Sequence, residues 1–268
     1  MNNKIIAIMY DFDKTLCTKD MQEYTFIPNL GISSEEFWSA ANKLREVDKM
    51  DQVLTYMYLM VTKTEEIGHH LTADYLRKMG DEIELFPGVI DWFKRISEYG
   101  EAAGVTIEHY IISSGVKEII EGSKIGKYFK MVFASEFYYD KFGHAKWPNR
   151  AINYSDKTQF LFRINKGILD CADDYTINRK MEADDRRVPF SNMIYIGDGL
   201  TDVPCMRLVK DNGGVSVAVY TDKSTKTAQD LYDDGRVNYA LKANYSDGTE
   251  LDMTIKATID AMSRTLHK

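Results

Sequence analysis

The chain has 268 residues, of which 44% are hydrophobic and 28% charged, and its formal net charge is −7. These are ordinary proportions for a globular protein that buries a sizeable core. The negative charge argues against a nucleic-acid partner, because general nucleic-acid binders present a basic face. It does not exclude phosphate chemistry, since a bound metal and a few local cations can reverse the sign inside one cleft.

The cysteines and the N-terminal sequence predict a cytoplasmic protein. Cys17, Cys171 and Cys205 lie far apart with no C-x-x-C spacing, a pattern typical of reduced thiols. The apolar run near the N-terminus ends at Tyr10 and is too short to span a membrane. We therefore expect no membrane association, and either a monomer or a homodimer.

Continuous apolar runs predict the strands of a parallel sheet. The first runs from Ile5 to Tyr10 and ends at Asp11, as expected of a strand buried on both faces. Four similar runs end in small or acidic residues: His109 to Ile112, Met131 to Ala134, Met193 to Ile196 and Val215 to Tyr220. Helix-like or loop sequence follows each run. This rhythm predicts an α/β fold with its chemistry at the carboxyl ends of the strands.

Residues 18–85 interrupt this alternation of strands and helices, because they contain no strand-like run. Ser33-Ser34-Glu35-Glu36 predicts a capped helix start, and apolar residues follow at helical spacing. Phe86-Pro87-Gly88 then predicts a helix stop and a turn. We expect residues 18–85 to form a helical insertion over the strand ends, between the two parts of a core domain, 1–17 and 86–268.

Two later segments predict local features. Residues 137–148 are expected to form a short hairpin that turns near Asp140 to Gly143. The polar stretch 165–189 contains paired aspartates, which a solvated helix and loop explain well.

Two carboxylates follow the first predicted strand directly, in Asp11-Phe12-Asp13-Lys14-Thr15. At a spacing of i, i+2 just past a strand end, both can point into one cleft. One carboxylate can then attack phosphorus while its neighbour handles protons. The string alone is not rare, but its position after an apolar strand makes it more specific.

Two further motifs follow predicted strands. Ser113-Ser114-Gly115 can bind phosphate oxygens through a hydroxyl and the amides of a helix N-terminus, although an ordinary capping turn explains it equally well. In Gly197-Asp198-Gly199-Leu200-Thr201-Asp202, two carboxylates lie four residues apart, so one helical turn would bring both near the same ion. Magnesium prefers a few such oxygen ligands together with waters and substrate phosphate.

A cation is also needed to neutralise the transferring phosphoryl group and the acidic cluster. Lys157 opens a helix-like stretch upstream of the last motif and is our candidate. Lys166 is the reserve.

Taken in order, these motifs resemble those of the haloacid dehalogenase superfamily, and within it the phosphoserine-phosphatase-like branch. The resemblance covers nearly the whole chain. It implies a Rossmann-like parallel sheet core with helices on both faces and an α-helical cap inserted after the first motif. It also implies that Asp11 is the nucleophile and that Asp13 protonates the leaving group and later activates water.

The same resemblance implies roles for the remaining residues. The phosphoryl group would be held by Lys157 and by a phosphate site formed from Ser113, Ser114, Gly115 and Thr15, with Thr15 bracing the loop that orients Asp13. Mg²⁺ would be held by Asp11, Asp198 and the backbone carbonyl of Asp13. Asp202 would lie in or just beyond the first ligand shell.

These features predict a Mg²⁺-dependent phosphohydrolase that acts on a small phosphorylated metabolite through an aspartyl-phosphate. Dehalogenases of this type lack the second aspartate, so Asp13 argues against carbon–halogen cleavage. A phosphotransferase or phosphomutase of the same fold stays open, as does a catalytically silent module that binds a phospholigand.

Substrate recognition is harder to predict. Asp20 lies nine residues past the predicted nucleophile, where the phosphoserine enzymes place an acid that binds the substrate amine. The expected carboxylate-binding arginine is missing, because no arginine occurs from Glu46 to Leu76. Asp20 and aromatic rings of the insertion are therefore expected to recognise a cationic or aromatic leaving group, such as an amino-alcohol phosphate or a nucleoside monophosphate.

Overall fold

The structure is a computed structural model and describes residues 4–266, so the outermost residues of the predicted core, 1–3 and 267–268, lie outside it. The strands are β1 (Ile5–Tyr10), β2 (Thr106–Val116), β3 (Met131–Tyr139), β4 (Ala145–Arg150), β5 (Met193–Gly197), β6 (Val215–Tyr220) and β7 (Tyr239–Lys242). They form one seven-stranded sheet in the order β4-β3-β2-β1-β5-β6-β7. Neighbouring strands are parallel except β3 and β4. The predicted α/β fold is confirmed.

Strand β1 lies at the centre of the sheet, between β2 and β5, and every residue in it is buried. Other elements cover both faces of β1, which explains why all its side chains are apolar or buried. Alternate side chains enter opposite apolar clusters, with Ile6 and Ile8 in one and Ala7 and Met9 in the other. Tyr10 at its end pairs with residues of both neighbours, so the carboxyl ends of three central strands meet at one edge.

Helices fill the segment between β1 and β2: α1 (Phe26–Asn29), α2 (Ser34–Val47), α3 (Gln52–Glu66) and α4 (Ala73–Met79). The predicted capping box is present at the start of α2, where the Ser33 and Glu36 side chains each accept a hydrogen bond from the other's backbone N–H. Cys17 and Leu85 form an antiparallel bridge, so the chain enters and leaves this helical insertion at adjacent points. The division of the chain into a core and a cap at residues 18–85 stays a prediction.

The remaining helices are α5 (Val89–Ala102), α6 (Lys117–Gly122), α7 (Lys157–Lys166), α8 (Asp174–Asn178), α9 (Val203–Asp211), α10 (Thr225–Asp233) and α11 (Glu250–Leu266). Strands β3 and β4 are the arms of the predicted hairpin, and Gly143 N–H donates to the Asp140 carbonyl in its turn. No helix within residues 4–266 combines the length and the apolar character needed to cross a membrane.

A buried hydrogen-bonded chain crosses the interface between the sheet and α5. Trp92 Nε1 donates to the Tyr10 hydroxyl at 2.9 Å, and this hydroxyl lies 3.0 Å from His109 Nδ1. Ser97 Oγ lies 3.1 Å from the other ring nitrogen, Nε2. The Tyr10 hydroxyl has no other acceptor for its proton among the described residues, so it donates to Nδ1, and the proton of a neutral imidazole then lies on Nε2. Burial lowers the pKa of His109 to about 4.

This chain predicts a loss of stability in mild acid. His109 stays neutral in the folded state but takes up a proton in the unfolded state below about pH 6.5. Its contribution is therefore fully present above pH 6.5 and is lost as the pH falls towards the folded pKa of about 4. Between pH 7.5 and pH 5, we expect it to lower the free energy of unfolding by about 2 kcal/mol.

Urea titration at the two pH values measures this effect. His109→Gln keeps a hydrogen-bonding side chain but does not titrate, so the pH-dependent difference should shrink by about 2 kcal/mol relative to the natural protein. His144→Gln, which replaces a more exposed histidine outside this buried chain, is the matched control. An unchanged pH dependence in His109→Gln would contradict the buried neutral imidazole.

Candidate active site

The carboxyl ends of β1, β2 and β5 border a cavity of about 370 Å³, and residues of α2 and α3 line its other side. This volume suits a small metabolite. The cavity brings together residues from all four predicted motifs, since Asp11, Asp13, Ser113, Lys157 and Asp198 all line it.

The loop after β1 fixes both predicted catalytic carboxylates. Phe12 is fully buried between them, so Asp11 and Asp13 both face away from the core and line the cavity. Asp11 N–H continues the sheet by donating to Ile196 O at 2.9 Å. Asp13 Oδ1 accepts from Met21 N–H at 2.8 Å. The tight turn puts Lys14 in the left-handed region at φ 57°, a strained conformation for a non-glycine residue.

Lys157 joins two of the predicted carboxylates. Its Nζ lies 3.0 Å from Asp11 Oδ1 and 2.7 Å from Asp202 Oδ1. The Tyr195 hydroxyl donates to the same Asp202 oxygen at 2.7 Å. Lys157 and Asp202 are both buried, so the ammonium group balances charge that water cannot screen. Lys166, the reserve candidate, instead donates to the backbone carbonyls of Ile177 and Arg179.

Asp11, Asp198 and Asp202 form a group that can hold a metal ion. One oxygen from each lies within 4.8 Å of the others. Asp202 Oδ2 is buried and accepts no hydrogen bond from the described residues, which leaves a carboxylate oxygen available to a cation. Three carboxylates against one lysine also leave excess negative charge. The donor set therefore fits a hard divalent ion such as Mg²⁺. The Asp13 side chain does not belong to this group.

The clustered carboxyl groups shift one another's pKa values. Burial and the neighbouring Asp202 raise the pKa of Asp11 to about 6, although Lys157 opposes this effect. Burial, followed by Asp20 and Asp11, raises the pKa of Asp13 well above its ordinary value. Burial alone would lower the pKa of Lys157, but Asp11 and Asp202 raise it above the ordinary lysine range. Lys157 is thus a fixed cation, and Asp13 is poised to carry a proton.

The Ser113-Ser114-Gly115 segment borders the cavity in an extended conformation. Strand β2 continues through this segment to Val116, and α6 begins directly after it at Lys117, where the sequence predicted a helix to open. Ser113 Oγ accepts a hydrogen bond from Gly115 N–H at 3.0 Å. A Cβ atom on Gly115 would lie 2.1 Å from Met21 Cε and 3.0 Å from Asp13 Oδ2, so any larger residue would require the Met21 side chain to move.

Thr15 and Asp20 differ from their expected roles. Thr15 is fully buried and does not line the cavity, so a direct contact with phosphate does not agree with its position. Its backbone carbonyl accepts from the Tyr245 hydroxyl at 2.8 Å, but its side-chain Oγ1 is buried with no hydrogen-bond partner among the described residues, so the loop-bracing role stays a prediction. Asp20 lines the cavity, but its Oδ2 pairs with Lys14 Nζ at 2.6 Å. The Lys14 ammonium group therefore occupies the position beside Asp20 at which a substrate amine was expected.

The sequence analysis missed the polar wall that the insertion presents to the cavity. Trp38, Asn42 and Arg45 line it from α2, and Gln52 lines it from the start of α3. Arg45 makes no hydrogen bond or ion pair within the part of the chain that the structure describes. Arg45 directly precedes the arginine-free segment from Glu46 to Leu76. The spacing of Trp38, Asn42 and Arg45 along one helix face was the signal that could have identified this wall.

Comparisons with known proteins agree with this fold and site. The sequence pattern of the family described as haloacid dehalogenase-like hydrolase matches residues 8–207. The chain therefore belongs to the haloacid dehalogenase-like hydrolases, and the predicted superfamily is confirmed.

One relative and two solved structures illustrate the range of similarity. An uncharacterized protein of Borreliella burgdorferi is 31% identical over 274 residues, covering 92% of this chain and 94% of the relative. A substrate-bound phosphoserine phosphatase shares 15% identity with a TM-score of 0.57, covering 95% of this chain and 99% of that one. The cytosolic 5'-nucleotidase IIIB bound to cytidine shares 14% identity with a TM-score of 0.54, covering 98% of this chain and 88% of that one. Both solved structures share the fold of this chain.

Gly197 allows Asp202 to approach the end of β5. A Cβ atom at this position would lie 2.6 Å from Asp202 Cγ, and Asp202 cannot move without loosening its bonds to Lys157 and Tyr195. Gly197→Ala should therefore lower the free energy of unfolding by about 1–3 kcal/mol, as overpacking does. Chemical denaturation measures the change.

Gly199→Ala is the matched control. Nothing lies within 4 Å of the Cβ atom at this position, and the backbone is extended with φ −155°. Its free energy of unfolding should stay within about 0.5 kcal/mol of the natural value. Equal stability of the two variants would show that the close approach at Gly197 is unimportant.

Proposed function

We propose that the protein is a Mg²⁺-dependent phosphohydrolase that cleaves a small phosphorylated metabolite through an aspartyl-phosphate at Asp11. The observation that carries this proposal is the buried Lys157, which bridges Asp11 and Asp202 in a three-carboxylate cluster at the cavity. A cluster with this surplus of negative charge suits a divalent ion and, through it, a phosphate group.

The proposed reaction has two displacements at phosphorus. An Asp11 carboxylate oxygen forms a bond to phosphorus while the bond from phosphorus to the leaving oxygen breaks, and Asp13 gives its proton to that oxygen. Water then attacks the phosphorus of the aspartyl-phosphate and gives a proton to Asp13, which releases inorganic phosphate and restores Asp11. The raised pKa of Asp13 supports this role, since the first step needs its protonated form.

The surrounding residues are assigned to charge balance and to orientation. Lys157 and the Ser113 hydroxyl would hold phosphoryl oxygens at the cavity wall, where both residues are found. A Mg²⁺ ion held by Asp11, Asp198 and Asp202 would supply the charge that offsets repulsion between the anionic nucleophile and the phosphate. Ser114 and Gly115 complete the wall beside Asp13.

The helical insertion, residues 18–85, is proposed to act as the cap that contacts the leaving group. Asn42 and Gln52 offer amide hydrogen bonds, Trp38 offers a ring, and Arg45 offers a cation that has no partner among residues 4–266. Together they favour a small polar leaving group with hydrogen-bonding or anionic character. This combination favours Arg45 over Asp20 as the charged contact, because Asp20 is already paired with Lys14.

The nucleophile is tested first. With an aryl phosphate and Mg²⁺, we expect the natural protein to release phosphate, and Asp11→Asn to lose at least about 1,000-fold in kcat because an amide is not a nucleophile here. Chelation of Mg²⁺ should also abolish release. Asp222→Asn is the matched control, since this exposed acid follows β6 and lies outside the cavity.

Acid quench of the natural protein during turnover should trap phosphate on the chain, and Asp11→Asn should trap none. Near-natural turnover by Asp11→Asn would refute the proposed nucleophile. Trapped phosphate that passes to a sugar hydroxyl rather than to water would identify a phosphotransferase. Binding of inorganic phosphate without turnover of any ester would identify a silent phospholigand-binding module.

The metal site is tested without turnover. Mg²⁺ that binds only the folded chain should raise Tm by mass action. Asp198→Asn removes one of the three carboxylates and should weaken the apparent affinity, read from the dependence of Tm on Mg²⁺ concentration, by about tenfold or more. Asp222→Asn should show the natural dependence. An unchanged dependence in Asp198→Asn would move the ion elsewhere.

A further inference from the structure

A hydroxyl group of the helical insertion reaches the backbone of the predicted phosphate site. Tyr56 of α3 is only 6% exposed, and its hydroxyl donates to the carbonyl oxygen of Ser114 at 2.5 Å. The two residues are 58 positions apart, so this bond joins the insertion directly to the end of β2. None of the predicted motifs contains Tyr56.

The geometry of the peptide bond transmits this contact to Ser113. The Ser114 carbonyl and the Gly115 N–H belong to one planar peptide group, so holding the oxygen also fixes the direction of the N–H. This N–H donates to Ser113 Oγ at 3.0 Å. Because Ser113 Oγ accepts that bond, its own proton is left to donate into the cavity, where a phosphoryl oxygen would lie.

A second hydroxyl holds the same carbonyl from the core. Ser135 of β3 is fully buried, and its Oγ donates to Ser114 O at 3.1 Å. Ile152 N–H in turn donates to Ser135 Oγ at 3.1 Å. The Ser114 carbonyl would therefore keep a buried partner without Tyr56. Removing the Tyr56 hydroxyl should alter the orientation of the peptide group without leaving an unpaired polar atom.

The start of α3 contacts the core at a second point near the site. Asn153 Nδ2 donates to Asp51 Oδ2 at 3.4 Å, and the Tyr154 hydroxyl donates to Gln52 Oε1. Both core residues lie in the loop just before Lys157. Helix α3 thus contacts the segments that carry the two proposed phosphate-binding side chains, Ser113 and Lys157.

We infer that Tyr56 is a positioning residue that couples the docking of α3 to the orientation of the Ser113 hydroxyl. The inference rests on the proposed function of Ser113 as a phosphate ligand. A donor held in place before phosphate arrives needs no reorganisation when charge develops on the phosphoryl oxygens. The position of the insertion would thereby set how well the core binds phosphate.

A double-mutant cycle tests this coupling with Tyr56→Phe, Ser113→Ala and the double variant. Two quantities are measured with Mg²⁺ present: kcat for an aryl phosphate and the affinity for inorganic phosphate by calorimetry. Tyr56→Phe alone should lower each by about three- to tenfold, the effect of one lost hydrogen bond. In the Ser113→Ala background, the same change should cost less than about twofold, because Tyr56 acts through Ser113.

Tyr58→Phe is the matched control. Tyr58 lies on the same helix, is 51% exposed, and its hydroxyl makes no hydrogen bond within the described chain, so both quantities should stay natural. A general loss of stability in Tyr56→Phe would lower kcat by the same factor in both backgrounds. That result, or a Tyr56→Phe variant with natural kcat and phosphate affinity, would overturn the inference.

The two measurements separate this inference from the proposed function. If no ester is hydrolysed but phosphate binding shows the expected non-additivity, the coupling stands and the hydrolase assignment fails. If the natural protein hydrolyses the ester and the cycle is additive, the hydrolase assignment stands and the coupling fails.

Discussion

The structure depends above all on the buried contact between Lys157 and two carboxylates, Asp11 and Asp202. Charges removed from water are costly unless they are paired and hydrogen-bonded. Here the pairing requires three separate parts of the chain to meet: the end of β1, the start of α7 and the turn after β5. This contact therefore helps to hold the ends of β1 and β5 and the start of α7 together at the cavity.

The proposed catalytic and leaving-group roles fall on elements of different rigidity. Residues at the strand ends are held by neighbours with little freedom, as Asp13 is held by Met21 N–H. The contacts of α2 with the cavity come from long side chains such as Arg45, which lies at the surface. Rigid groups suit bond making, because small displacements weaken it, whereas longer side chains can fit leaving groups of different shape.

Much of the fold and the centre of the site could be predicted, because their signals are local. Buried parallel strands leave unbroken apolar runs, as in β1, and motifs after such strands meet at one edge. Strand β2 runs on to Val116, past its predicted end at Ile112, because its last residues pair with β3, which no short window of sequence encodes. The position of Arg45 at the cavity and the bond from Tyr56 to Ser114 were not predicted, because both arise from contacts between elements far apart in the chain.

The antiparallel bridge between Cys17 and Leu85 has an evolutionary consequence. The insertion begins and ends at adjacent points of the core. Another segment that replaced it would therefore have to connect two positions that are already close together. A different set of helices could be grafted there without altering the strand that carries Asp11. The residues that the insertion presents to the cavity can therefore change in evolution while the proposed nucleophile stays in place.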